Sequence, residues 1–383
     1  MSTADVVVIG GGIHGCSAAL NLARRGLKVI VLEKDYVGRH ASTANAGGVR
    51  TLLRHTAEVP LALEARKFWH DIERHLGSDC GYHTVGQIAV AETEQAFEDL
   101  AVRDTRMRGL GYDHEELIDA DTLKALVPAI ARTVHGGLIV RGDGAASPFH
   151  ATQAFRHAAE AQGVVIRENA RVDALEQTAN GWLVDHDGMR VHVSTIVNTA
   201  GAWGDRIAAM AGETIPLSWF LPMMMVTARV PEFLEPVIVN TARPLSFKQM
   251  PNGTLLIGGG RPAVGDLERM TYHIDFAGLK ATAQTVRDLF PHLRDIPIMR
   301  AWAGFEGRFA DDIPVIGPSA GARNLFHAFG FCGHGFQLAP IVGKLIAELV
   351  VDGTASLPTD AFAVDRFPTE IDENLSDRIA AHG

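Results

Sequence analysis

Three glycines and one acid near the start of the chain carry its clearest chemical signal. Gly10, Gly12 and Gly15 stand in G-x-G-x-x-G spacing, and Glu33 follows Gly15 by eighteen positions. Gly10 permits a tight turn, Gly12 lets backbone approach a pyrophosphate, and Gly15 lets a helix pack close to a strand. A helix N-terminus at this point offers N–H groups and a partial positive charge to phosphate. Glu33 can accept hydrogen bonds from ribose hydroxyls, and it would repel a 2′-phosphate. The set therefore predicts binding of a dinucleotide.

These residues need particular elements to position them, and the sequence supplies those elements. Val6 to Ile9 is a short β-branched run suited to a strand buried on both faces. A helical segment runs to Arg25, with Gly26 placed as its C′ residue, and Lys28 to Leu32 reads as the next strand, ended by Glu33. The following HASTANAGG stretch consists of small residues that let backbone lie against a flat ligand, and Arg50 stands just beyond it.

Composition narrows the class. The chain has 383 residues, which is too long for one core, so two domains are expected. A net charge of −10 argues against a nucleic-acid partner. Cys16, Cys80 and Cys332 are far apart and form neither a disulfide framework nor a metal-type pair. No membrane-spanning run and no signal peptide stand out, so a cytoplasmic protein is expected.

Further along, residues 57–76 repeat apolar positions at helical spacing, and Tyr82 to Ala91 reads as a strand. Asp187-Gly188 and Pro251-Asn252-Gly253 mark hairpins. From residue 216 to 260 the pattern is that of antiparallel sheet. Met223, Met224 and Met225 read as sheet packing rather than a binding box. Leu338, Ile341, Val342, Leu345, Ile346 and Leu349 define one face of a final helix capped by Gly353. Nucleotide-type elements thus recur at the start, middle and end, with antiparallel segments between them.

Five stretches, in order from residue 6 to residue 349, carry a family resemblance: VVVIGGGIHGCSAALNLARRGLKVIVLEK, HASTANAGG, NTAGAWGDRIAAMAG, WAG with DDIPVIGP, and GFCGHGFQLAPIVGKLIAEL. Together they resemble the FAD-dependent D-amino-acid and amine oxidase family. That family includes glycine oxidase, sarcosine oxidase with its multi-subunit β chain, and proline, hydroxyproline and opine dehydrogenase subunits. The resemblance implies an α/β fold: a Rossmann-type FAD domain with a parallel sheet, interleaved with an α+β substrate domain whose large antiparallel sheet covers the flavin. Residues 1–84, 143–214 and 301–366 are expected in the FAD domain, 85–142 and 215–300 in the substrate domain, and 367–383 as a tail.

The resemblance also implies site residues. It places the pyrophosphate at Gly10, Gly12, Ile13 and Gly15 with His14 beside them, and the ribose at Glu33 and Lys34. Ser42, Thr43, Ala46, Gly47 and Gly48 would line the ring, and Val172 would meet the adenine through its backbone. Ala200, Gly201 and Trp203 would close over the cofactor. Gly333, His334, Gly335, Phe336, Gln337 and Leu338 would meet the pyrimidine end of the flavin, where a helix N-terminus favours the negative charge of the reduced ring. FAD is expected to be held noncovalently. The surroundings of His150 resemble a stretch where sarcosine oxidase β chains attach FMN, but His150 reads as an ordinary helix N-terminal residue, and no second flavin is expected.

The implied reaction is hydride transfer from an amine-bearing carbon to flavin N5, giving an imine that water hydrolyses. An amino-acid substrate needs a cation for its carboxylate, and Arg50, Lys248, Arg261 and Arg308 are the candidates. Glu306 stands where simple amino-acid oxidases often carry arginine. That shifts the expected substrate toward N-substituted or cyclic amino acids of the sarcosine, hydroxyproline or opine kind. His334 is a candidate to touch substrate or tune the flavin. The alternative is a β-type subunit of a heteromeric dehydrogenase that passes electrons to a partner.

Overall fold

The computed structural model describes residues 4–240 and 242–367, so the expected tail lies, apart from Phe367, outside the described residues. Two compact units form. One takes the chain through Ser42, Thr152–Trp219 and the chain from Glu306; the other takes Thr43–Ala151 and Phe220–Phe305.

The first unit is built on a six-stranded sheet. In spatial order its strands are Val315–Pro318, Leu325–Phe329, Thr195–Asn198, Val6–Ile9, Val29–Leu32 and Val165–Arg167. Neighbours run parallel except the first two. Val6–Ile9 and Val29–Leu32 are buried at every position, as expected of strands covered on both faces. On one face Val7, Ile9, Ile30, Leu32 and Ile196 pack against Trp182, Val184, Val191 and Val193 of a three-stranded antiparallel sheet. Asp187 and Gly188 turn that hairpin with φ of 46° and 69°, the double positive φ of a type I′ turn.

The first helix, Ile13–Arg24, packs along the final helix, Gly335–Asp352. Gly26 (φ 84°) and Gly353 (φ 73°) follow these helices in the left-handed conformation expected of them. The two helices approach closely at Gly343. A Cβ there would lie 2.2 Å from Ser17 Oγ and 2.5 Å from the Ser17 backbone carbon.

The second unit carries an eight-stranded sheet. Its order is Ile298–Ala303, Met223–Arg229, Thr254–Gly258, Leu245–Gln249, Val237–Asn240, Gln87–Ala91, Gly136–Val140 and Glu116–Asp119. All neighbours are antiparallel except Val237–Asn240 beside Gln87–Ala91, which run parallel. One face, with Ile88, Met225, Ile238, Phe247 and Ile257, packs on Val286 and Leu289 of the helix Phe276–Leu289.

Three local expectations change. Residues 57–76 form two helices, Val59–His70 and Ile72–Leu76, because Asp71 leaves helical geometry at φ −109° and ψ 19°. In Tyr82 to Ala91 only Gln87–Ala91 joins the sheet, while His83 makes an isolated bridge to Ala145. Residues 43–84, 143–151 and 301–305, expected with the nucleotide elements, pack in the second unit, and 215–219 pack in the first. In the second unit Gly48–Val49 pairs with Gly144–Ala145, and Gln87 Nε2 donates to both Val49 O and Gly144 O, at 3.2 and 2.8 Å. Among the described residues no helix is long and apolar enough to cross a membrane.

The Gly343 contact is testable. Gly343→Ala adds a methyl group against backbone, and overpacking of that kind outweighs the helix propensity gained. The unfolding free energy should fall by about 1–2 kcal/mol, read as a lower melting temperature of the purified protein.

Candidate functional site

In the first unit the glycine motif forms a cradle with almost no room for side chains. Gly10 has φ 106°, and a Cβ there would lie 2.5 Å from Thr199 O. A Cβ on Gly15 would lie 1.9 Å from Gly10 O. Thr199 Oγ1 donates to Ile9 O at 2.9 Å and to Gly10 O at 3.0 Å, which ties Thr195–Asn198 to the opening turn. Gly12 stands before the first helix, and the Ile13 N–H donates to Ser42 Oγ at 2.9 Å. This is the point where the sheet changes its winding direction, a usual place for a ligand in such sheets.

Glu33 is buried at the end of its strand. Its Oε2 accepts the Gly11 N–H at 2.6 Å, and its Oε1 accepts the Asp35 N–H at 2.8 Å. Burial pushes the carboxyl up, and these two amides oppose that. The Ala170 N–H donates to Glu33 O at 2.8 Å, which brings the Val172 strand beside the acid. Lys34 Nζ lies 3.2 Å from the centre of the Trp203 ring, and burial lowers its pKa to about 8. His40 meets the same ring at 4.6 Å. Ala200 precedes the single turn Gly201–Trp203. Gly10, Gly12, Ile13, Gly15, Glu33, Lys34, Ser42, Val172, Ala200, Gly201 and Trp203 are thus gathered at one end of the sheet. A cradle without side chains, a helix N-terminus and a buried acid fit the ADP half of a flavin dinucleotide.

The final helix begins with Gly335, after Gly333 at φ 81°. Phe336, Gln337 and Leu338 are buried. His14 stacks on Phe331 with ring centres 3.7 Å apart, and burial holds its pKa near 3, so the ring is neutral. His334 Nε2 lies 3.2 Å from Asp312 O. The carboxyl of Glu306, in the strand Glu306–Arg308, accepts a hydrogen bond from the Gly333 backbone N–H. Burial raises its carboxyl pKa to about 7.

In the second unit, Thr43 lies in the short helical turn Ala41–Ala44, and Asn45 Oδ1 accepts the Gly47 N–H at 2.7 Å beyond Ala46. Gly48 begins the short pairing with Ala145. Trp302, whose part the sequence does not reveal, donates its indole N–H to Ala44 O at 2.9 Å. Arg50 sits in a charged network. Its guanidinium donates to Leu52 O at 3.2 Å, burial lowers its pKa, and Asp143, Glu58 and Glu115 counter that effect. Asp143 accepts both the Thr51 and Leu52 N–H groups, at 2.7 and 3.0 Å, while Glu115 accepts the Leu53 N–H at 2.7 Å. These carboxylates clamp a turn in which Leu53 has φ 56°. Only their partners in space reveal them, since nothing in local spacing marks either acid.

Lys248 contrasts with this network. It is only 6% exposed, and burial alone lowers its pKa, to about 8. Among the described residues it has no acidic partner. Arg308, by comparison, pairs with Asp312 at 2.7 Å, and Arg261 is exposed. Lys248 lies opposite Leu256, Ser246 opposite Gly258, and Met224 opposite both Gly258 and Trp302. The two-residue period puts these side chains on the sheet face opposite the helix-covered core. Met223, Met224 and Met225 are all buried, in agreement with a packing role. His150 is exposed on the helix Pro148–Ala161. The cysteines are free, and among the described residues no acid, histidine and cysteine cluster could hold a metal.

Fold and cradle together define a flavin-dependent oxidoreductase. The profile described as FAD dependent oxidoreductase (DAO) matches residues 5–349, and the chain belongs to that family. It is 26% identical to the glycine oxidase of Geobacillus kaustophilus (strain HTA426), over 94% of this chain and 97% of that protein. It is 27% identical to an opine oxidase subunit of Rhizobium meliloti, over 97% of this chain and 99% of that one. The crystal structure of L-proline dehydrogenase from P. horikoshii superposes with a TM-score of 0.89 at 26% identity, covering 96% of this chain and 98% of that one. The chain is an FAD-dependent oxidoreductase of amino acids and amines.

The cradle makes a direct prediction. Gly15→Val places a branched side chain where even a Cβ meets Gly10 O, so the purified protein should lose at least about nine-tenths of its flavin, which takes a weakening of Kd of about eightyfold or more. The ratio of visible flavin absorbance to protein absorbance measures this.

Proposed function

We propose that the enzyme oxidises the amine of a small N-substituted or cyclic amino acid of the sarcosine, hydroxyproline or opine kind, with Lys248 holding the substrate carboxylate. The observation that carries this reading is a buried ammonium that, among the described residues, has no acidic partner. Burying an unpaired charge is unfavourable, and an incoming carboxylate supplies the missing counter-charge. Arg50 suits the role less well because Asp143, Glu58 and Glu115 already neutralise its surroundings.

Glu306 supports the substrate class. A carboxyl group there cannot make the carboxylate contact of an arginine; with its pKa raised to about 7 it is partly ionised near neutral pH and can accept a hydrogen bond from a secondary or cationic amine. Bound FAD supplies the two-electron acceptor for the C–H beside the substrate nitrogen. The protein's part is to hold the carboxylate, exclude primary amino acids that bind only through that group, and keep the reacting carbon in place. A second reading, one chain of a heteromeric dehydrogenase, draws support from the full-length match to an opine oxidase subunit.

Anaerobic bleaching of the flavin by sarcosine, D-proline, hydroxyproline and opines tests the substrate class, and no bleaching by any of them would refute it. Lys248→Met should raise KM about a hundredfold for the preferred substrate while flavin content is kept. The lysine is protonated below about 8, so wild-type KM should rise as pH passes about 8, and Lys248→Met should lack that rise. Glu306→Gln should reduce the preference for N-methylated over primary amino acids about tenfold, measured as a ratio of kcat/KM values. Peroxide formation by the isolated chain, compared with reduction of an artificial dye, separates an oxidase from a chain that needs a partner.

A further inference from the structure

Behind the Ala200–Trp203 turn lies a run of buried polar side chains that the oxidation chemistry does not use. Asn198 and His327 are both 0% exposed. Asn198 Oδ1 accepts the Ala200 N–H at 3.2 Å, and its Nδ2 donates to Gly204 O at 2.8 Å. One amide therefore ties both ends of the turn. The same Nδ2 lies 3.2 Å from His327 Nδ1, and His327 Nε2 lies 2.8 Å from Glu213 Oε2. Ser319 Oγ and the Ala320 N–H hold Glu213 in turn, at 2.7 and 2.8 Å. Burial pushes the Glu213 carboxyl up, but hydrogen bonds from His327 and Ser319 outweigh it and leave the group below its ordinary value.

We infer that Glu213, His327 and Asn198 form a positioning relay that holds the Ala200–Trp203 backbone in the shape that receives FAD. Proton placement orders the three groups. An ionised Glu213 only accepts, so His327 carries its ring proton on Nε2 and presents Nδ1 as an acceptor. That acceptor selects one orientation of the Asn198 amide. The flipped amide would set its oxygen against His327 Nδ1 and Gly204 O, both acceptors, and its NH2 against the Ala200 N–H. A buried mismatch of that kind is strongly unfavourable. Gly201 within the turn has φ 58°, a left-handed conformation that glycine adopts without the penalty a Cβ would bring. On the other side Trp203 is fixed by Lys34 and His40. None of the three relay residues needs to touch the cofactor.

The inference rests on the reading that Ala200–Trp203 closes over FAD, so the experiment carries a control for that reading. Deflavinated protein is titrated with FAD by flavin fluorescence quenching, and visible circular dichroism is recorded on the reconstituted form. Glu213→Gln, at a side chain 9% exposed, keeps the shape and should fold; His327→Leu removes both ring nitrogens at similar volume. Each should raise the FAD Kd about tenfold and change the dichroism of the bound flavin. A role in stability alone would lower the melting temperature and leave both readouts unchanged. Trp203→Ala serves as the control. If it weakens FAD binding while Glu213→Gln and His327→Leu stay within about twofold of wild type, the relay is wrong. If Trp203→Ala also leaves the Kd unchanged, the reading of the turn is wrong and the relay falls with it.

Discussion

The structure depends on how closely three pieces of backbone approach one another at Gly10. The carbonyl of Gly10 faces Gly15 from one side and the Thr199 hydroxyl from another. That approach brings the start of the first helix to the strand end and locks the middle of the chain against its beginning. Side chains are excluded there by geometry, so peptide groups and the helix dipole become the recognition surface. Glu33, Val172 and the Ala200–Trp203 turn are placed by strands that this junction fixes in register.

The second unit separates two uses of buried charge. Asp143 and Glu115 accept backbone N–H groups from Thr51 to Leu53 and stand near arginines, so their charge is matched within the fold. They hold a strained turn whose left-handed residue is a leucine, which would not persist without them. Lys248 is left unmatched on a sheet face that also carries Trp302 and Met224. Among the described residues Lys248 has no acidic partner, and burial lowers its pKa to about 8, in contrast to the matched charges around Asp143 and Glu115.

The glycine cradle was legible because its chemistry is local: three glycines, the strand before them and the acid after the next strand all lie within thirty residues. The hairpins at Asp187-Gly188 and Asn252-Gly253 were legible for the same reason, since turn type follows residue type. The final helix announced itself through its spacing. What escaped was long-range. Val237–Asn240 is four residues long and finds its place beside Gln87–Ala91 only through the sheet. Asp71 breaks a helix whose apolar spacing continues across it. Gly48–Val49 pairs with Gly144–Ala145 over only two residues, a contact that local sequence does not mark. Trp302, Thr199 and the Asn198–His327–Glu213 run act through partners up to 258 positions away, which no periodicity records.

The packing of the first helix on the final one has a consequence for biosynthesis. Ser17 and its neighbours are complete on that face only once Gly343 has arrived, more than three hundred residues later. At a ribosomal rate of about 5–20 residues per second, the opening βα unit waits roughly 15–60 s with an apolar face uncovered. Chain order thus leaves that face of the first helix without its packing partner until the final helix has been synthesised.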